Sequence, residues 1–373
     1  MKILHTNFHR GWGGQSNRIL TVCDGLTKRG HEVVLAVPRD SKLHRRAEER
    51  GVEVFTEVEF RRGFRPIPIA GDLKNLARLQ RERQFDIIHT HGSQDTWTIA
   101  YLSFFLRRKP VILRTKHNVF PIVDHAFNRW LYGKLVDYHV VISGAIQEYC
   151  ANKSYLEEKN LFLIPSAVEA ENFAKGDGAK LREEYGLNDD HLVVGITGRL
   201  REEKGHRYLL DAWAEFSRET PEARLLVVGD GSLGGEFKQQ VKQLGTEDSV
   251  IFTGFRKDVP DVLASLDLFV MPSISEGLGT AILEAGAARL PIIASRVGGI
   301  PDIIEDGRTG LLTEPHDPKS ILEALRRLRD DRDLARKLAE NARAHVETEF
   351  SPEQLVAKTE RCYEEVLGKT PES

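Results

Sequence analysis

The chain has 373 residues, 40% hydrophobic and 29% charged, with 53 Lys and Arg against 56 Asp and Glu. That mixture excludes a disordered chain, and no apolar run approaches the ~20 residues of a membrane-spanning helix. The length favours two domains over one. The balanced total hides an asymmetry: residues 1–165 carry 26 Lys and Arg against 17 Asp and Glu, the remainder 27 against 39. A basic first half can attract an anionic acceptor or an acidic membrane face, or serve simply as solvated surface. Cys23, Cys150 and Cys362 are odd in number, far apart and without zinc spacing. They point to a reducing compartment. Met1-Lys2-Ile3-Leu4 enters a strand with no signal-peptide pattern, so the expected location is cytoplasmic.

In chain order, residues 2–5 read as a short strand, followed by the turn Gly11-Trp12-Gly13-Gly14 and a helix over 16–29 ended by Gly30. Strands are predicted over 31–38, 52–58, 86–90, 111–115, 136–142 and 161–164, with a helix over 73–83. The apolar runs do not alternate with polar residues. They imply a parallel sheet covered on both faces. Residues 165–190 are polar and contain Gly176-Asp177-Gly178, as a boundary would. A second series follows, with strands over 191–197, 224–229, 250–253, 266–271 and 291–294. Residues 318–349 read as helical, and 352–367 as a last helix. The expected fold class is α/β, with two doubly wound, Rossmann-like domains over 1–168 and 169–350. In such sheets ligands bind at the carboxyl ends of the strands.

The most informative stretch is Ser275-Glu276-Gly277-Leu278-Gly279-Thr280-Ala281-Ile282-Leu283-Glu284-Ala285. It follows a buried strand ending at Pro272 and opens a helix. Gly277 and Gly279 leave backbone N–H groups bare, and a helix N-terminus with unpaired N–H groups is a seat for phosphate. Glu276 in the loop and Glu284 one turn into the helix bracket that seat. Phosphate in the middle and hydroxyls at both ends describe a nucleotide-sugar, although Glu near a helix start is also ordinary capping chemistry.

Three other turns bear on the same ligand. Gly13-Gly14, followed by Gln15, would let backbone approach a diphosphate, or would be a simple turn. Arg199, after Ile196-Thr197-Gly198, and Lys204, before Gly205, lie five apart across a strand–helix turn and can pinch one anion. The run Gly229-Asp230-Gly231-Ser232-Leu233-Gly234 matches G-x-G-x-x-G, the dinucleotide fingerprint. The fingerprint expects an acid after the next strand, but here Ile251 to Phe255 lead to Arg256-Lys257. An NADP-dependent oxidoreductase therefore stays open as an alternative, as does a non-catalytic saccharide-binding protein. His89 and His91 form an H-x-H after a strand. Cleft lining or packing is preferred to a metal, because no third ligand is evident.

The 275–285 stretch also resembles the E-x7-E motif of the retaining glycosyltransferases of family 4, usually close to S-E-G-F-G, apolar residues, L-E-A and a small residue. Leu278 replaces the usual Phe, and Gly286 stands where Met is common. The resemblance extends over nearly the whole chain. It implies two Rossmann-like domains facing a central cleft, the GT-B type, with the acceptor on the first, the donor on the second, and the last helix, 351–373, returning to the first. It also implies roles. Arg199 and Lys204 bind the diphosphate and neutralise the leaving group. His117, in Thr115-Lys116-His117-Asn118, contacts the transferred sugar. Gly13, Gly14, Gly231, Phe255, Arg256, Gly277, Leu278, Gly279, Thr280 and Ala281 line the donor. Glu276 holds sugar hydroxyls and Glu284 the ribose. The Gly298-Gly299-Ile300-Pro301-Asp302 turn lies near, and Ser166-Ala167 departs from the usual Asn-Gly.

The expected activity is a retaining, metal-independent hexosyl-type transfer with no cofactor. UDP-sugars rank first as donor, ahead of GDP-mannose and ADP-heptose. Arg61-Arg62-Gly63-Phe64-Arg65-Pro66 mixes basic and aromatic residues. Arg61, Arg62, Phe64 and Arg65 are the candidate acceptor contacts, for a saccharide, glycolipid or lipid-linked acceptor of the bacterial cell envelope (lipopolysaccharide, O-antigen or capsule). The enzyme could lie peripherally on the inner face of the plasma membrane. Nucleic acid is not an expected partner.

Overall fold

The computed structural model describes residues 1–61 and 66–368. The chain divides into two compact units. One is Met1–Ser166 with the segment from Pro352 onward, and the other is Ala167–Ser351.

The first unit holds β1 (Lys2–Thr6), β2 (Glu32–Ala36), β3 (Glu53–Phe55), β4 (Ile87–Thr90), β5 (Val111–Lys116), β6 (Tyr138–Val141) and β7 (Leu161–Leu163). They form one parallel sheet in the order β3-β2-β1-β4-β5-β6-β7. Ile3, Leu4, Val34, Leu35, Ile87, Ile88 and Leu113 are almost wholly buried, as expected for strands covered on both faces. Burying each such side chain contributes about 1.5–3 kcal/mol. Strand order reverses between β1 and β4, so the loops after these two strands flank the natural ligand crevice of the sheet.

The helix Pro352–Val366 packs on the helix Gly14–Lys28. Gly25 permits the contact: a Cβ there would lie 2.3 Å from a Val356 methyl. Glu360 fixes the register by accepting from Arg29 and pairing with His31 at 2.6 Å.

The second unit holds β8 (Leu192–Thr197), β9 (Ala223–Val228), β10 (Val250–Gly254), β11 (Leu268–Met271), β12 (Ile292–Ser295) and β13 (Leu311–Thr313), in the order β10-β9-β8-β11-β12-β13. Its core centres on Trp213, Phe216 and Phe237, packed against Leu225, Val227 and Val270. The switch point lies between β8 and β11. Three features were not legible as periodicity. β13 has only three residues. The helix Ser93–Ser103 is buried along most of its length, so it lacks a polar stripe. The segment expected as one helical stretch is two helices, Pro318–Asp330 and Arg332–Glu349. Asp331 ends the first and caps the second, accepting from the Leu334 N–H at 2.9 Å. The acid pair in Asp331-Arg332-Asp333 thus sits at a helix boundary.

Candidate active site

Both loops at the second unit's switch point are populated by residues read from the sequence. After β8 come Gly198, Arg199 and a short turn of helix, Glu202–Lys204. After β11 come Ser273, Glu276, Gly277 and Gly279, then the helix Thr280–Ala287. The loops are stitched together. The Ile274 N–H donates to the Glu203 carbonyl at 3.0 Å, and Lys204 Nζ donates to Glu276 Oε2 at 2.6 Å. The pair is mostly buried, with side chains 23% and 15% exposed. The Ser273 hydroxyl lies 3.5 Å from the same carboxylate oxygen. Sequence reasoning gave Lys204 and Glu276 separate tasks; their direct pairing is new. Arg199 is exposed at the mouth of the β8 loop.

The glycines make this geometry possible. Gly205 has φ +67°, and a Cβ there would stand 1.8 Å from the Pro272 carbonyl oxygen. Gly298 has φ +54°, and a Cβ there would stand 1.8 Å from the carbonyl oxygen of Glu276. Only residues without a side chain let the three loops meet. Gly279 begins the helix Thr280–Ala287 at φ +98°, and among the described residues no side chain caps that end. Leu278 is buried, whereas Gly277, Thr280 and Ala281 are partly exposed. Glu284, partly buried, has its carboxyl pushed up to about 7 by burial, against the opposing pull of Lys204.

The G-x-G-x-x-G turn follows β9, one strand away from the switch point. Its glycines serve loop packing. A Cβ at Gly229 would meet the Gly198 carbonyl oxygen at 1.8 Å, and one at Gly231 the Leu200 carbonyl oxygen at 2.4 Å. The Leu200 and Leu233 N–H groups tie the two loops together. Gly231 therefore supports the β8 loop from behind. Phe255 is 72% exposed, as a stacking surface would be. Arg256 is engaged otherwise: its guanidinium donates to both oxygens of Asp258 and both of Glu184 at 2.6–3.0 Å. The Asp258 carboxylate first, with Glu184, holds that guanidinium well above its usual range.

In the first unit, Gly13 precedes the helix Gly14–Lys28, and a Cβ on it would meet nothing within 4 Å. Packing within the protein thus gives no reason for glycine there. Gln15 donates to Asn7 Oδ1 at 3.1 Å and to the His91 carbonyl at 2.9 Å, joining the loops after β1 and β4. His117 follows β5 and lies against His91, ring nitrogens 3.1 Å apart. Burial, chiefly, holds its imidazole well below the usual range. Arg61 bonds Glu59 at 3.1 Å on the surface. Arg62, Phe64 and Arg65 lie outside the described residues.

Residues 12–172 match the family model described as Glycosyltransferase Family 4, and residues 177–345 match Glycosyl transferases group 1. The N-acetyl-alpha-D-glucosaminyl L-malate synthase of Bacillus anthracis is 29% identical over 78% of this chain and 78% of its own. The UDP-Gal:alpha-D-GlcNAc-diphosphoundecaprenol alpha-1,3-galactosyltransferase of Escherichia coli is 28% identical over 80% of this chain and 81% of its own. The crystal structure of Anabaena HepE in complex with UDP superposes with a TM-score of 0.83 at 22% identity, covering 98% of this chain and 100% of that one. That likeness is one of fold.

Proposed function

The chain belongs to the family 4, group 1 glycosyltransferases of two-Rossmann-domain fold, and from that premise we propose a retaining, metal-independent transfer of a sugar from a nucleotide-diphosphate sugar to a saccharide or glycolipid acceptor. The observation that carries this reading is the Lys204–Glu276 pair, at the switch point beside an uncapped helix start with Glu284 one turn inside. UDP-sugars rank first as donors, since the E. coli relative uses UDP-Gal. That relative's lipid-linked acceptor supports an envelope glycan as product.

The chemistry follows from the charges. The bond between the anomeric carbon and the diphosphate oxygen breaks, leaving negative charge on the phosphate and positive charge on the ring. Arg199, Lys204 and the N–H groups at Gly279 to Ala281 stabilise the phosphate. Glu276 holds sugar hydroxyls, and His117 meets the transferred sugar. The acceptor oxygen bonds to the same face that the phosphate leaves, and its proton passes to the departing phosphate oxygen. The donor enters a site where Lys204 is already paired, so the lysine shifts from carboxylate to diphosphate as Glu276 turns to the sugar. Phe255 offers the base a stacking face; Arg256, held by two carboxylates, keeps that turn in place.

Titration of the protein with nucleoside diphosphates tests this reading. One of them should raise the melting temperature while NADP does not; a response to NADP alone would overturn it. The same titration tests Glu284 as the ribose partner. A carboxyl lifted to about 7 is largely protonated at pH 6 and ionised at pH 8. Ribose hydroxyls donate better to the ionised form, so affinity should rise by up to about tenfold over that interval. Glu284→Gln should bind weakly and without the slope. An unchanged slope in that variant would return Glu284 to helix packing.

Peripheral membrane binding has its own support. No helix among the described residues is long and apolar enough to cross a membrane. Phe104, stacked on Trp130, is 52% exposed, and Phe105 is 75% exposed. Arg107, Arg108 and Lys109 follow after Leu106. Aromatic side chains beside a basic run suit an anionic lipid surface. Vesicles containing phosphatidylglycerol should sediment the protein, and Phe105→Ser with Arg107→Ser should weaken this by about tenfold or more, at roughly 1 kcal/mol per charge. Equal sedimentation of variant and parent would assign the patch to another role.

A further inference from the structure

A line of hydrogen bonds runs through the interior of the first unit to His117. It arises from strand periodicity. His89 lies in β4 and His91 directly after it, Thr115 lies in β5 and His117 directly after it, each pair two apart, and β1 pairs with β4 so that His5 lies beside His89. Tyr363 of the helix Pro352–Val366 completes the line. From the far end, Thr115 Oγ1 is 2.6 Å from His89 Nε2, and His89 Nδ1 is 2.6 Å from the Tyr363 hydroxyl. That hydroxyl is 3.2 Å from His5 Nε2, and His5 Nδ1 is 2.9 Å from His91 Nε2. His91 Nδ1 is 3.1 Å from His117 Nε2. His5, His89, His91, Thr115 and Tyr363 are all less than 5% exposed.

Every member is neutral. Burial, helped by the Arg18 charge, depresses His5 to about 3. Burial likewise leads in holding His89, His91 and His117 low and the Tyr363 phenol high. A neutral imidazole has one N–H and one lone pair. Each link therefore holds one proton, and the links must all run in the same sense. Among the described residues, the structure gives the Thr115 hydroxyl no acceptor other than His89 Nε2. This fixes the sense. Thr115 donates to His89, His89 to Tyr363, Tyr363 to His5, His5 to His91, and His91 to His117 Nε2.

A metal ion is the rival occupant, because nitrogens of His5, His89 and His91 lie within 4.8 Å of one another. All six ring nitrogens of these residues are already hydrogen-bonded, and the 2.9 Å contact between His5 and His91 leaves no room for an ion between them.

We propose that Tyr363 is a positioning residue: through His5 and His91 it holds His117 as the Nδ1–H tautomer, an uncharged donor for an oxygen of the substrate. This rests on the reading of His117 as a contact of the transferred sugar. The line itself stands apart from that reading.

Two-dimensional ¹⁵N–¹H spectroscopy of the histidine-labelled full chain tests it, with the His117 signals assigned by loss in His117→Gln. His117 should be a single Nδ1–H tautomer from pH 6 to 8. Tyr363→Phe cuts the line, so both tautomers should appear. Turnover should then fall roughly tenfold, the scale of losing an oriented donor, with nucleoside diphosphate affinity within about twofold of the parent. Should Tyr363→Phe not fold, Thr115→Val removes the terminal donor and should mix the tautomers, while Thr115→Ser restores one. An Nε2–H or charged His117 in the parent, an unchanged tautomer in the cut variants, or stoichiometric zinc in the purified protein overturns the proposal. Absence of any sugar transfer with the tautomers as expected would instead count against the glycosyltransferase role of His117 and leave the line intact.

Discussion

Lys204→Ala should lower turnover on the order of 10²-fold or more, the loss of one preorganised donor from a developing oxyanion. The ammonium is held at the switch point. It lies directly before the left-handed turn at Gly205, and its Nζ bonds Glu276 at 2.6 Å. Nucleoside diphosphate affinity should weaken as well, because Lys204 already meets the phosphate in the ground state, although its hold strengthens as charge develops in the transition state. Excess chelator should leave parent activity intact, since Arg199, Lys204 and the helix start supply the positive charge. Steady-state kinetics with and without chelator check both parts. If chelator abolishes transfer and magnesium or manganese restores it, the cationic clamp is not the main electrophile, and the roles of Arg199 and Lys204 have to be withdrawn.

Glu276→Gln should cost one to two decades in turnover, from a charge-assisted hydrogen bond worth roughly 1.5–3 kcal/mol. The structure sharpens the expectation. The carboxylate has Lys204 as its partner, so the amide frees the lysine for phosphate. Nucleoside diphosphate affinity should hold or rise, opposite in sign to Lys204→Ala. Calorimetric titration of the two variants separates them. Parental turnover in Glu276→Gln would remove the carboxylate from the reaction; a fall in diphosphate affinity equal to that of Lys204→Ala would mean that the pair acts only as a scaffold.

The sequence by itself determined the architecture and which charged residues stand in the loops at the second unit's switch point. Unalternating apolar strands between helices can only be buried on both faces, which fixes a parallel sheet for each half. Glycines beside charged residues at strand ends mark loops where backbone can approach a ligand, and that pattern picks out Arg199, Lys204, Glu276 and Glu284 as candidates. Short elements escaped this reading, as β13 did, because three residues carry no period. Asp331 escaped because a cap within a charged run looks like surface.

Only tertiary structure decided how those residues are used. Strand order places the β8 and β11 loops at the switch point and the G-x-G-x-x-G turn one strand away, and order depends on pairings that no local pattern encodes. Contact decided that Lys204 and Glu276, 72 positions apart, share a proton-bearing bond. It also committed Arg256 to Asp258 and Glu184. Contact again joined His5, near one end of the chain, to Tyr363, near the other, in a buried line ending at His117. Local propensity is written residue by residue, whereas a hydrogen bond across hundreds of residues exists only once the chain has folded and excluded the water that would otherwise take its place.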